Sequence, residues 1–267
     1  MPMSRLAPAP RAGLMDPSSS RRPRLPALLP REHGLWCWAG TPLLGAVLLS
    51  PTVATGLGAL AVLAFFGAGN AARKGAWFEA AWATVAGSLA GLAVLALAPA
   101  PGVWALTLAA LVAGGGLALG VADGATGRQV PVVTLFELAA IAGFAGAGAG
   151  LAIAGGVSAA PAALIALCIA TWEVTGLWWV RGQLSRVLPG RTPWASGPQT
   201  IAALALLLVV TAVAAGHPFV ALVPTFYLLR IVTTRPASAP RDARRIGLGE
   251  AAWAVGATVL AVGGVVS

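Results

Sequence analysis

Charge is what this chain has least of: only 9% of its 267 residues are charged, against roughly a quarter in soluble domains. With 58% of residues hydrophobic, most of the chain must have lipid as its solvent, which excludes an ordinary water-soluble domain. Cysteine is equally scarce. Cys37 and Cys168 are the only two, and both lie inside apolar stretches, where a thiol packs as a small hydrophobe. That leaves no disulfide framework and no cysteine-built metal site. Also missing are a Walker loop, zinc-ligand spacing, a nucleophile elbow and any paired-Asp motif, so no motif names a reaction.

What is present is a series of apolar segments at about 35–50, 53–69, 76–98, 102–122, 130–154, 158–180, 198–215, 217–233 and 246–266. A spanning helix needs about 20 predominantly apolar residues. The expected fold is therefore all-α: a polytopic membrane helix bundle of about nine transmembrane helices. Residues 35–267 form a single transmembrane domain in this reading. Residues 1–34 are rich in Arg, Pro and Ser and hold no apolar run long enough for a signal-peptide core, so a disordered basic cytoplasmic tail is expected there.

Four connections are short and uncharged: Ser50 to Thr52, Pro99 to Gly102, Gly155 to Pro161, and Gly216 to Pro218. All 17 basic residues fall in the tail, in the other connections or at the helix ends flanking them. Nine spans starting from a cytoplasmic N-terminus put every one of these cations on the cytoplasmic side, as the positive-inside rule requires. The C-terminus is then outside, and the expected location is the inner membrane of a cell. The same distribution accounts for the +9 formal charge without a nucleic-acid partner. Trp36, Trp38, Trp77, Trp104, Trp178, Trp179 and Trp194 fall near span ends, where amphipathic rings prefer the interface, and Trp82, Trp172 and Trp253 fall deeper. Pairs Gly87/Gly91, Gly116/Gly120 and Gly146/Gly150 have the four-residue spacing that lets helices approach closely. The Gly-Ala-Gly-Ala-Gly run at 146–150 belongs to this packing, since it lies within an apolar helix and not between a strand and a helix.

Function is sought among the acids. Only eight exist, and Glu79, Glu137, Glu173 and Glu250 lie within apolar segments. Counting about 1.5 Å per residue from the nearest cation puts Glu79 and Glu250 about 7–8 Å from the inner interface. Glu137 and Glu173 come out about 12–14 Å deep, in a half-bilayer of about 15 Å. Intramembrane acids face a polar interior and often mark function. Glu79 and Glu250 also fit a plainer role, as first-turn residues whose charge suits a helix N-terminus. For Glu137 and Glu173 the choice is a ligand, ion or proton role against a buried hydrogen bond to a neighbouring helix. Glu32 and His33 place an acid and a titratable imidazole at the inner interface, for headgroup contact, proton transfer or helix capping. Arg73 with Lys74, and Arg181 with Arg186, suit a phosphate or anchor helices against anionic headgroups. The combined expectation is a polar cavity open to the cytoplasm that takes a small amphipathic or anionic ligand.

Several segments carry a family resemblance, from about residue 30 to the end. They are Pro30-Arg-Glu-His-Gly-Leu-Trp36 with Pro42 to Gly45, Phe136-Glu137-Leu138, Trp178 to Arg186, and Arg245 to Glu250. The chain resembles the YwiC-like family of bacterial membrane proteins, a resemblance that implies no biochemical activity. In architecture it is also similar to the UbiA-type prenyltransferases, whose inner loops after spans 2 and 6 hold Mg²⁺ and a prenyl diphosphate through aspartates. The matching segments here, Gly69-Asn70 to Gly75 and Arg181 to Arg186, contain no Asp. Mg²⁺ takes hard oxygen ligands such as carboxylates; Asn70 alone cannot supply them, Glu79 and Glu173 are imperfect substitutes, and a transferase would use these two with Glu137 and the basic loop residues to handle the diphosphate. Three readings follow: a membrane protein without a cofactor that binds a lipid or isoprenoid-like ligand and works as a transporter; a UbiA-like transferase using Mg²⁺; or an accessory subunit whose carboxylates pair internally.

Overall fold

A computed structural model describes residues 33–126, 131–187, 197–233 and 243–267. Among the described residues there is no strand. Nine α-helices follow one another: α1 (His33–Leu49), α2 (Val53–Arg73), α3 (Trp77–Leu97), α4 (Ala100–Thr126), α5 (Pro131–Ala154), α6 (Ala159–Val187), α7 (Gly197–Ala214), α8 (Leu222–Thr233) and α9 (Ala243–Val266). The tail, residues 1–32, lies outside the described residues. Helix is what an apolar chain in lipid adopts, because each backbone N–H and C=O must find its partner within the segment. Five stretches are long and apolar enough to cross a bilayer: Val53–Ala72, Trp77–Leu97, Glu137–Ala154, Ala159–Leu177 and Gly247–Val266. Shorter apolar stretches are Ala39–Leu49, Ala100–Val112, Leu204–Ala214 and Pro218–Arg230. The protein is a membrane helix bundle.

The surface agrees with that solvent. Along α3, Trp77, Phe78, Trp82, Val85, Leu89, Leu92, Leu95 and Leu97 are all exposed, an apolar face far larger than a water-soluble monomer tolerates. Trp104, at the start of α4, is exposed as well. Cys168, by contrast, is a buried free thiol.

One expected segment is not a single helix. Residues 217–233 begin with a 3₁₀ turn, Pro218–Ala221, before α8. Pro224 lacks the N–H that a continuous α-helix would donate at that position, and in the structure it falls in the first turn of α8, where none is needed.

Tight turns gather at one end of the bundle. Ser50 Oγ donates to the Gly155 carbonyl at 2.7 Å, and Thr55 Oγ1 to Leu151 O at 3.4 Å. A methyl group built on Gly102 would lie 2.8 Å from the Ala154 backbone, and one on Gly264 2.8 Å from the Val220 N. Leu49 and Val265 pack together against Ile165, Ile169 and Val262. The turns after α1, α3, α5 and α7 and the end of α9 therefore share one end, and the turn after α2 lies at the other. Gly156 and Gly216 close α5 and α7 with φ of +99° and +78°. In each, the glycine N–H reaches back three residues (Gly156 to Ile153 O, Gly216 to Val213 O) and the following N–H reaches back five (Val157 to Ala152 O, His217 to Ala212 O). This is the left-handed cap that glycine adopts without steric cost.

Helix α1 sits at the centre, against α2, α5, α6 and α9, while α4 packs on α5 and α3 on α2. One core cluster joins Leu43, Ala46, Leu151, Ala152 and Ala162 from α1, α5 and α6. The other joins α6 to α9 through Leu164, Cys168, Trp172, Leu208, Tyr227 and Ala257. Small residues let these helices approach, though the partners are resolved only by the structure. Gly146 and Gly150 face Ala109 and Leu106 of α4, Gly87 faces α2, and Gly91 faces nothing within 4 Å. Gly148, between the two spaced glycines, packs on the Pro42 carbonyl of α1.

Candidate functional site

A guanidinium in an apolar run is the starting point. Arg230 lies in the last turn of α8, where the partial negative charge of the helix end favours a cation. It was grouped above with the cations of the inner connections, but it is no interfacial anchor, because it is completely buried. Its Nη2 donates to Glu250 Oε2 of α9 in a salt bridge. Three rings enclose it: the Arg230 Cζ lies 4.7 Å from the centre of Trp179, 5.2 Å from Tyr227 and 5.3 Å from Trp172. Each is within reach of a cation–π attraction, which strengthens when the cation is shielded from water.

The box is held from behind. Trp172 meets Tyr227 edge-on at 5.1 Å and Phe226 in a stack at 5.9 Å, and Phe226 meets Trp253 of α9 at 4.7 Å. Tyr227 Oη donates to the Thr175 carbonyl at 3.3 Å. Gly176 leaves the space that the ion pair occupies, since a methyl group there would lie 3.4 Å from Glu250 Oε2 and 3.9 Å from Arg230 Nη1.

Glu173 precedes Gly176 by one turn on α6 and shares its face. It is only 3% exposed. The Thr41 hydroxyl of α1 donates to Glu173 Oε1, while Oε2 has no hydrogen-bond partner among the described residues. The structure thus pairs Glu250 with an arginine that the sequence reading did not select, and it buries Glu173 on α6 against Thr41 of α1. The signal was present: Arg230 interrupts Leu228-Leu229 and Ile231-Val232, and a cation in an apolar run needs a partner.

Beside the box runs a half-open cleft between α6, α7 and α8 that encloses about 20 Å³, room for a water or two. Cys168, Trp172, Ala205, Leu208, Val223 and Pro224 give it apolar walls, and Thr171, Thr175 and Tyr227 add hydroxyls.

The remaining expected residues sit apart. Glu79 is exposed in the first turn of α3, which fits the helix N-terminus role. Glu250 departs from that role, because α9 begins at Ala243 and has no acid in its first turn. Asn70 is buried on α2, Glu137 is half-buried on α5, and Lys74 is exposed after α2. Phe66 meets Phe144 at 5.7 Å, and counting along the antiparallel α2 and α5 from that contact brings Asn70 and Glu137 to within about 5 Å of one level. Glu32 lies outside the described residues, as do the side chains of His33, Arg73, Arg181 and Arg186. Among the described residues no three His, Cys, Asp or Glu side chains come close enough to hold a metal ion. Neither a known protein family, nor a curated protein, nor a solved structure matches the chain.

Proposed function

We propose that this protein is a nine-span inner-membrane protein, N-terminus cytoplasmic and C-terminus outside, that binds a small amphipathic anion within its bundle. The observation that carries the binding reading is Arg230: a fully buried guanidinium under three aromatic rings, beside an apolar cleft that two of those rings also line. An arginine fork matches a carboxylate or phosphate head, and the apolar walls of the half-open cleft suit an apolar tail lying along them. Glu250 occupies the fork at rest, so an incoming anion exchanges with it. The cation distribution in the sequence supports the orientation. The segments around Trp36, Glu137, Arg181 and Glu250 support placing the chain with the YwiC-like proteins.

Binding is tested with two probes of equal chain length and opposite head, decanoate and decyltrimethylammonium, on purified protein in detergent. Decanoate is expected to change the tryptophan emission saturably in the wild type and not in R230Q/E250Q, whereas the ammonium probe has no saturable effect on either. Equal responses to both probes, or a decanoate response that survives the double substitution, would overturn the reading.

The orientation is tested in a chain whose Cys37 and Cys168 are replaced by Ala. Ser158 and Lys74 are both exposed, in turns at opposite ends. A membrane-impermeant maleimide added to intact cells should label S158C at once and K74C only after permeabilisation. The reverse pattern would invert the topology.

A further inference from the structure

We propose that Glu173 is a proton-binding site of the bundle: at rest it is a carboxylic acid carrying its proton on Oε2. The inference does not depend on the ligand assigned to Arg230. It starts from what an ionised carboxylate needs away from water, namely a cation or several donors. Glu173 is buried and receives one neutral donor, the Thr41 hydroxyl, on Oε1. Its other oxygen meets no donor among the described residues.

Among the described residues no neighbour supplies Glu173 with a positive charge. Thr41 of α1 and Thr258 of α9 line a small pocket with Cys168, Ile169 and Trp172 of α6. Glu137 lies on α5, and the apolar run of α7, residues 201–214, has no ionisable side chain. Arg230 of α8 is bound to Glu250 of α9. A dry carboxylate with one neutral donor keeps its proton, and Oε2, which has no donor, is where the proton sits.

When the Oε2–H bond breaks and the proton leaves, the bonding pair stays on Glu173, and the new carboxylate has only the Thr41 hydroxyl to hold it.

Infrared spectroscopy of the full chain in lipid vesicles tests this. The wild type should show a carboxylic-acid C=O band that shifts in D2O and fades as pH is raised. The band should be absent in E173Q, retained in E250Q, and moved to higher frequency in T41V, where the hydrogen bond on Oε1 is gone. T41V keeps the shape of the residue, so the band remains assignable if E173Q fails to fold. No such band in the wild type, or a band that persists in E173Q, overturns the proposal. A band that neither shifts in D2O nor responds to pH marks a locked structural acid and overturns it equally.

Discussion

Replacing Arg230 by Gln is expected to destabilise the bundle by about 3–5 kcal/mol, because it leaves the Glu250 carboxylate buried without its cation. Glu250→Gln is expected to be nearly as damaging, since it strands the guanidinium beneath Trp172, Trp179 and Tyr227. The double variant R230Q/E250Q removes both charges together and should recover most of the loss. Thermal unfolding of the four proteins in one detergent gives the coupling directly. Losses that simply add, with no recovery in the double variant, would show that the two residues are not a working pair. Arg230→Lys keeps the charge yet loses the flat fork that lies against the rings, so it should fall between wild type and R230Q.

A single methyl group at Gly148 is expected to cost about 1–3 kcal/mol, the usual penalty for overpacking. It would sit 2.7 Å from the Pro42 carbonyl oxygen and 3.0 Å from its carbon. These are backbone atoms of α1, which cannot swing aside as a side chain can, so α1 and α5 must part. Gly91→Ala is the matched control: nothing lies within 4 Å of that position, and the better helix propensity of alanine should leave stability unchanged or raise it by up to about 1 kcal/mol. Equal melting of both variants would remove the close approach of α1 and α5 from the account of the fold.

These two cases also show what sequence could reveal. The positions of the helices follow from runs of apolar residues and from the turns between them, which are local properties, and the structure places nine helices on those runs among the described residues. Burial of Cys168 within an apolar helix was legible for the same reason. Pairing was not. Glycine spacing pointed to Gly146 and Gly150, yet nothing local says that Gly148 faces a different helix, because that depends on how α1 inserts beside α5. Arg230 was hidden by its nearness to the cations that follow it, Arg235 and Arg241, and its burial depends on rings from α6 that lie some fifty residues away. Glu250 looked like a helix-start residue because its helix begins a little earlier than the apolar run does.

The four turns gathered at one end, residues 50–52, 98–99, 155–158 and 215–217, contain no Asp, Glu, Lys or Arg. In the orientation proposed above, the turn of each helical hairpin is the part that must pass through the hydrocarbon to reach the far face. An ionised side chain there would raise the barrier by a few kcal/mol at least. Without one, each pair of helices can enter the bilayer as a unit, turn first.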